Sequence, residues 1–355
     1  MHDDLNDMSS KFDEGYSPLL RKIIRYLSED ARMSLLEISS KLGTSRRTIK
    51  VKLTNAEHDL GLRYIPEFDK SALGLTSPHL IRVKFSKKPD YKDIAKILSS
   101  SYIPQFAAVT KGTYDMIIYA NAITSREYVS WDKRTQIMLS KYGVSWNPSD
   151  VANQALGFFP IRNELIDMTS LAPMDKEILK LLNTNARITF SEISKRLGMH
   201  FNTVAYNFNK LMKAGYIKRF TVSMDIPKNA VCMALFGKYT TLSPEYEEES
   251  AKSRILYKSS GMDYPLINRY PMVFILVGSA DAFIMGVLDD YDTAYKYVVS
   301  SYKRLFAKQH PQFNYGKIEE ILLGRLPLRS IDAQKEYNII KWTVPPEEAP
   351  ERKRK

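Results

Sequence analysis

The sequence predicts an α+β protein with two winged helix-turn-helix domains, each followed by a ferredoxin-like βαββαβ domain. A segment that begins at Glu29 is repeated in similar form from Thr184, about 155 positions later. In both halves, apolar residues at helical spacing come before alternating strand patterns. The repeat is longer than the roughly 20 to 50 residues of a solenoid unit, so it indicates duplication of a whole two-domain module.

Three consecutive helices are predicted in the first helix-turn-helix domain. Pro18 begins the first, because the N–H that proline lacks is one that the first helical turn leaves unpaired. Ser34 and Glu37 have the spacing of a capping box at the start of the second. Gly43 can end that helix in a left-handed conformation. A third helix is then predicted over residues 45–55.

The second copy repeats these signals in the same order. Thr189 and Glu192 form its capping box, and Gly198 follows at the end of the short helix. Its third helix is predicted over residues 201–214. A candidate wing follows each third helix, over residues 61–65 and 215–220.

Basic side chains cover the outward side of the first copy's third helix, and no acidic residue lies between Glu37 and Glu57. Arginine can bind guanine through two hydrogen bonds and lysine can hold a phosphate, so this surface favours insertion into a major groove. A solvated basic face is the alternative. The residues predicted to contact DNA are Ser45, Arg46, Arg47, Thr48, Lys50, Lys52 and, in the wing, Arg63.

The third helix of the second copy is polar rather than basic. Asparagine can read adenine, so this helix could specify sequence while adding less electrostatic affinity; a module kept only for packing is the alternative. His200 stands at the position that Ser45 occupies in the first copy. Histidine is a poorer N-cap than serine, so this difference weakens the second helix by about 1 kcal/mol. The residues predicted to contact DNA here are His200, Asn202, Thr203, Tyr206, Asn207 and, in the wing, Lys218 and Arg219.

A βαββαβ order follows each wing, which is typical of a ferredoxin-like unit with helices on one sheet face. The first half has predicted strands at 79–85, 106–110 and 115–122 and a last strand that begins at 144–146, with helices at 91–99 and 128–142. The second has strands at 232–239, 272–277, 281–288 and 318–323, with helices at 245–259 and 293–308. The uncovered sheet faces are apolar, so we expect the two sheets to pair within the chain.

A shared turn joins the middle strands of each sheet, Gly112 to Asp115 in the first half and Gly278 to Asp281 in the second. Glycine supplies the backbone angles of a tight hairpin, and the aspartate can accept hydrogen bonds from nearby amides. A purely structural role for these turn residues and a role in contacting a ligand are both possible interpretations.

Composition limits the remaining possibilities. The chain has 355 residues, of which 44% are hydrophobic, so several folded domains are expected. Its net charge of +12 suits a polyanionic partner. The single cysteine excludes an intrachain disulfide, and the five histidines lack metal-ligand spacing. An acidic start without a signal-peptide pattern and the lack of a long apolar run predict a cytoplasmic protein.

The predicted boundaries follow from these patterns. They are a disordered tail at 1–16, winged helix-turn-helix domains at 17–68 and 171–225, ferredoxin-like domains at 76–166 and 229–332, and a disordered basic tail at 343–355. The second half carries an additional segment at 244–265.

These motifs resemble the Lrp/AsnC (leucine-responsive, feast/famine) family of transcriptional regulators, on the strength of residues 30–53, residues 174–220 and the two G-x-x-D turns. The resemblance implies paired RAM/ACT-like sensor domains with an amino-acid-like effector at their interface. Ser45, Arg46, Arg47 and Thr48 match the start of the family's recognition helix. Gly112, Tyr114 and Asp115 match the sensor turn and are the predicted effector-binding residues. Family members are usually single modules that dimerise, whereas this chain contains two, so a pseudo-dimer within one chain is expected.

The predicted function is therefore sequence-specific binding of double-stranded DNA by a transcriptional regulator. We expect no catalytic activity, cofactor, metal or membrane association, and leave further homo-oligomerisation open. Two alternatives remain: an enzyme similar to the siroheme decarboxylases, which share this architecture, and a protein-interaction scaffold with idle helix-turn-helix domains. His79, beside a strand, is predicted to be packed or hydrogen-bonded rather than catalytic.

Overall fold

The computed structural model describes residues 17–226, 231–238, 272–288 and 312–328. Several predicted features lie outside these residues: the two tails, the segment 244–265 and the second-half helices at 245–259 and 293–308. No helix among the described residues is long and apolar enough to cross a membrane.

The first helix-turn-helix domain consists of α1 (Pro18–Glu29), α2 (Leu35–Leu42) and α3 (Arg46–Asp59), followed by strand β1 (Arg63–Phe68). Its core contains side chains from all three helices with no exposed surface, namely Ile23, Leu27, Ile38 and Ile49. Gly43 ends α2 with a φ of 59°, as its position predicts.

The predicted capping box of α2 is only half formed. Ser34 Oγ accepts a hydrogen bond from the backbone N–H of Glu37 at 3.1 Å. The Glu37 carboxylate lies 3.1 Å from Lys41 Nζ one turn later, instead of returning to the cap. In the second copy both hydrogen bonds of the box between Thr189 and Glu192 are present.

The first ferredoxin-like half follows β1. It contains β2 (Ser77–Phe85), α4 (Tyr91–Ser99), β3 (Pro104–Gly112), β4 (Met116–Ala122), α5 (Ser125–Leu139) and β5 (Val144–Leu156). The order is the predicted one, and β5 begins at Val144 as predicted and continues to Leu156. Its second part pairs outside its own sheet, which no local pattern shows.

The second module begins with α6 (Asn163–Met168), a short helix that the sequence pattern missed. The predicted helix-turn-helix follows as α7 (Pro173–Thr184), α8 (Phe190–Leu197) and α9 (Phe201–Lys213), and then β6 (Ile217–Ser223). The remaining strands are β7 (Val231–Lys238), β8 (Met272–Gly278), β9 (Ala282–Leu288), β10 (Gln312–Leu323) and β11 (Pro327–Leu328).

One small sheet joins the two helix-turn-helix domains. Strand β6 lies between β1 and β11, and β1 pairs with β6 in the antiparallel direction. Tyr64 lies opposite Val222 and Pro66 lies opposite Phe220, around a centre at Ile65. The segments predicted as wings, residues 61–65 and 215–220, therefore contain the starts of strands β1 and β6, which pair with each other across the two halves.

The two ferredoxin-like sheets form one closed barrel with the strand order β10-β3-β4-β2-β5-β8-β9-β7. Strand β5 pairs with β8 and β3 pairs with β10, so hydrogen bonds join the halves along both edges. The sheets thus lie together within one chain, as expected, and their contact includes backbone pairing as well as packed faces.

The segment after β5 contributes to the contact between the halves. Phe159 has no exposed surface, and its ring lies 4.6 Å from Phe106 and 4.8 Å from Tyr119 of the first half. It also lies 5.7 Å from Phe274 of the second half. Residues 156–162 and 323–329 share the pattern L-G-x-x-P-x-R near the end of each repeat, and Leu326, which occupies the position of Phe159 in this pattern, is buried too. The matched ends of the two repeats therefore pack inside the protein.

Candidate nucleic-acid interface

Helix α3 presents a basic surface at its N-terminal end. Ser45 Oγ accepts a hydrogen bond from the backbone N–H of Thr48 at 3.0 Å, which fixes the start of the helix. Arg46, Arg47 and Lys50 are exposed, and none forms a salt bridge within the described part of the chain. The first turn contains no acidic residue, so the positive end of the helix dipole adds to these charges.

The other residues predicted on α3 are less available. Ser45 and Thr48 also bond to each other through their side-chain oxygens at 2.9 Å, so both serve the cap. Lys52 is half-buried. Ile49 and Leu53 pack inward, as their spacing predicts. The available cations are therefore those of the first turn and a half of α3.

Helix α9 presents a neutral surface at the same place in the second copy. His200 makes no side-chain capping bond, as its replacement of serine predicts. Asn202 and Thr203 are exposed, and Tyr206 is 69% exposed. Phe201, which the sequence reasoning did not include, is 50% exposed. Its position directly after the N-cap is the feature of the sequence that could have identified it as an exposed residue of this helix.

Three further residues of the second copy that were predicted to contact DNA are less available. Asn207 is half-buried on α9. Lys218 Nζ lies 3.4 Å from a carboxylate oxygen of Asp69, and Arg219 Nε lies 2.6 Å from a carboxylate oxygen of Glu67. These two cations pair with acidic residues of the first half because their strand belongs to the shared sheet.

Arg63, predicted in the first wing, lies at the start of β1. Its guanidinium donates hydrogen bonds to the carbonyl oxygens of Glu57 at 3.1 Å and Leu62 at 2.9 Å. The side chain is thus held against the end of its own domain, at the base of α3.

Two arginines at equivalent positions cross between the helix-turn-helix domains. Arg32 of the first copy donates to the carbonyl oxygen of Ala186, and its guanidinium lies over three phenylalanine rings at 5.2 to 5.7 Å. Arg187 of the second copy donates to the carbonyl oxygen of Ala31 at 2.8 Å and lies 5.2 Å from the ring of Tyr64. The contacts are reciprocal, as in an isologous dimer interface, and hold the two helix-turn-helix domains together.

The predicted effector residues have structural contacts. Tyr114 is 3% exposed, and its hydroxyl donates to the carbonyl oxygen of Ala234 in the second half at 2.6 Å. Asp115 accepts hydrogen bonds from Lys84 Nζ at 2.7 Å and from a strand amide. At Gly112 an added Cβ would lie 2.3 Å from a carbonyl oxygen of β10. Their role in binding an effector stays a prediction.

The equivalent turn of the second half has a different environment. Ala280 replaces the tyrosine, and the buried side chain of Arg82 from the first half approaches this turn. Arg82 Nη2 donates to the carbonyl oxygen of Ser279 at 2.8 Å and to its hydroxyl at 3.0 Å, while the guanidinium lies 5.1 Å from the Phe236 ring. Burial lowers the pKa of Arg82. An arginine between apolar residues of a strand is the feature of the sequence that could have identified this buried interface residue.

His79 is packed and hydrogen-bonded, as predicted. Its Nε2 lies 2.8 Å from Ser77 Oγ, its Nδ1 lies 2.8 Å from a carboxylate oxygen of Asp150, and its ring stacks on Tyr128. Burial lowers the pKa of His79. Within the described residues, no cluster of three or more histidine, cysteine, aspartate or glutamate side chains could hold a metal ion.

Comparisons with known proteins match both helix-turn-helix copies. Residues 21–52 match the AsnC-type helix-turn-helix domain, and residues 171–218 match the winged helix-turn-helix DNA-binding family. The transcriptional regulator Ptr1 of Methanocaldococcus jannaschii is 31% identical over 127 residues, which is 35% of this chain and 77% of that protein. An uncharacterized regulator of Pyrococcus horikoshii is 39% identical over 59 residues, which is 17% of this chain and 36% of that protein.

A solved structure shares the fold along nearly the whole chain. The siroheme decarboxylase NirDL aligns with a TM-score of 0.54 and 13% identity, covering 92% of this chain and 98% of that one. A second structure, of NirDL with an iron-uroporphyrin III analogue, also has a TM-score of 0.54. The prediction that the chain is not an enzyme is contradicted by this finding, because an enzyme has the same two-module architecture.

Proposed function

Because the chain belongs to the Lrp/AsnC family of helix-turn-helix transcriptional regulators, we propose that it binds double-stranded DNA with α3 in the major groove. The observation that carries the proposal is the set of exposed cations Arg46, Arg47 and Lys50 on a helix capped by Ser45, none of which forms a salt bridge with another described residue. Arginine at this position can read guanine, and lysine can neutralise phosphate and release counterions.

The shared sheet and the crossed arginines support the proposal further. Two recognition helices read half-sites at a defined spacing when their positions are fixed relative to each other. Here β1 pairs with β6, and Arg32 and Arg187 each bond to the backbone of the other copy. The two recognition helices therefore approach a duplex as one rigid unit.

The proposal is tested by measuring duplex binding at several salt concentrations with the full chain. We expect the Arg46→Ala, Arg47→Ala double variant to lower the dependence of log K on log salt by about 0.9 for each phosphate contact removed. Each arginine that reads a base adds a loss of about 1 to 3 kcal/mol on the selected site.

A matched control removes the same charge elsewhere. Lys133 and Arg134 are exposed on α5 of the barrel, so the Lys133→Ala, Arg134→Ala variant should keep both the affinity and the salt slope. Equal losses in the two double variants would show nonspecific charge attraction and contradict the proposal. If the Arg46→Ala, Arg47→Ala variant keeps the cellular function of the protein, a protein-interaction scaffold would be favoured instead.

Regulation by an amino-acid-like effector at the interface of the paired sheets is the second part of the proposal. It is supported by Arg82, which is buried at this interface and whose Nε has no hydrogen-bond partner among the described residues. A ligand carboxylate would supply that partner. Calorimetry with a panel of amino acids should give binding that Arg82→Met removes; no heat with any member of the panel would contradict this part.

The fold shared with NirDL over 92% of the chain favours a second candidate function, a siroheme-decarboxylase-like activity. Titration of the purified protein with siroheme distinguishes the two. A shift of the Soret band, in a protein that binds no duplex at any salt concentration, would favour the enzyme. Salt-dependent duplex binding without a Soret shift would favour the regulator.

A further inference from the structure

We propose that the DNA site is non-palindromic and that the chain binds it in one orientation, with α3 on a half-site containing G·C pairs and α9 on a half-site rich in A·T pairs. This inference rests on the proposed function and names the sequence class that each helix reads.

The backbone relation between the two copies is close to a two-fold rotation. The N–H of Asp69 donates to the carbonyl oxygen of Tyr216 at 2.9 Å, and the N–H of Asp225 donates to that of Leu60 at 3.1 Å. These are the same contact made in both directions around the centre of the β1–β6 pairing. Two identical modules in this relation read a palindrome, since the symmetry of the protein is copied in the site.

The surfaces that this rotation relates are chemically different. Aligning the caps Ser45 and His200 places Arg46 opposite Phe201, Arg47 opposite Asn202, and Lys50 opposite Ala205. Lys52 and Val51 correspond to Asn207 and Tyr206. At every position where α3 has a cation in this region, α9 has a neutral residue.

These differences predict different base preferences. Arg46 and Arg47 on α3 can each make a bidentate contact with the O6 and N7 acceptors of guanine. Asn202 can make the corresponding contact with adenine, and an exposed phenylalanine can pack on the methyl group of thymine. Phe201 is 50% exposed at the first helical position, where a recognition helix reaches the bases. A G·C half-site beside an A·T half-site follows.

The first measurement is selection of bound duplexes from a random library with the full chain at a stated salt concentration. We expect the enriched sequences to have two unlike halves. The Phe201→Arg, Asn202→Arg variant makes α9 resemble α3, so it should enrich sequences whose halves match. The Phe201→Ala, Asn202→Ala variant should lose the A·T half while its salt slope stays unchanged.

The second measurement determines orientation by tethered cleavage. Thr54 of α3 and Asn209 of α9 are exposed and occupy equivalent positions, so Thr54→Cys and Asn209→Cys can each carry an iron chelate. The native Cys232 has no exposed surface, and burial raises its pKa, so it does not compete for the label. On the selected site we expect each variant to cut one half only, and the two variants to cut opposite halves.

The possible outcomes distinguish a failure of this inference from a failure of the proposed DNA-binding function. Duplex binding with a palindromic selected site, or equal cutting of both halves by each variant, overturns the inference and leaves the proposed function standing. A selected site with one half only, unaffected by changes in α9, also overturns it. Absence of binding to any duplex overturns the proposed function together with the inference.

Discussion

The crossed arginines give a prediction about how firmly the two helix-turn-helix domains are joined. Arg32→Met keeps most of the aliphatic stem of the side chain and removes the guanidinium that reaches the second copy. The lost contacts are the hydrogen bond to the carbonyl oxygen of Ala186, a longer one of 3.4 Å to that of Ile188, and three ring contacts at 5.2 to 5.7 Å.

The magnitude follows from these contacts. A hydrogen bond from a charged donor contributes about 1.5 to 3 kcal/mol, and the three ring contacts of this single guanidinium are counted together as one cation–π interaction of about 0.5 to 1 kcal/mol. The variant should therefore lower the free energy of separating β1 from β6 by about 2 to 4 kcal/mol. Since about 1.4 kcal/mol corresponds to a factor of ten, opening of this sheet becomes roughly 30 to 700 times more frequent.

Hydrogen exchange read by mass spectrometry measures this opening in peptides that cover β1 and β6. Arg25→Met is the matched control, because Arg25 is exposed on α1 and the same chemical change there breaks no contact between the copies. Exchange in the barrel strands should stay unchanged in both variants. Equal exchange of β1 and β6 in Arg32→Met and Arg25→Met would refute the idea that the crossed arginine holds the halves together.

Three other predictions concern the barrel and its connection to the helices. Tyr114→Phe should lower the unfolding free energy by about 1 to 2 kcal/mol in denaturant titration, since a buried carbonyl oxygen loses its partner; an unchanged value would contradict the buried bond. Gly112→Ala should lower the melting temperature, because an added Cβ would lie 2.3 Å from the carbonyl oxygen of Tyr315 on β10; an unchanged melting temperature would contradict the close approach of β3 and β10. Burial lowers the pKa of Lys70 to about 7, so between about pH 7 and pH 10 the unfolded chain holds this proton more tightly than the folded protein does. The free energy of unfolding should therefore rise as the pH increases through this range, and Lys70→Met should remove the rise. The same pH profile of the melting temperature in both proteins would refute this prediction.

The helix-turn-helix copies were predictable because their signals are local. A proline, a capping residue and a glycine within a few positions define where each helix begins and ends. For α3, Ser45 fixes the start by a bond three residues along the chain, and the outward cations follow from helical spacing. The same logic correctly identified His200 as a poor cap.

The pairing of distant strands was not predictable from local patterns. Arg219 carries the charge expected of a phosphate contact, yet its partner is Glu67, which is 152 positions away in the sequence. Only the register of β1 against β6 brings these two side chains together. Long-range pairing likewise extends β5 to Leu156 and places Tyr114 against the opposite half. A single sequence contains no local signal for such contacts.

The barrel and the shared sheet place both halves of the symmetric pair in one polypeptide. Separate subunits of two kinds would mix into three combinations, in proportions that follow their expression levels. Here the unlike halves always meet in equal number, and their pairing does not weaken on dilution because their effective concentration is set by the chain itself. A substitution in α9 is never duplicated across the rotation axis, so one recognition surface can diverge while the other is retained.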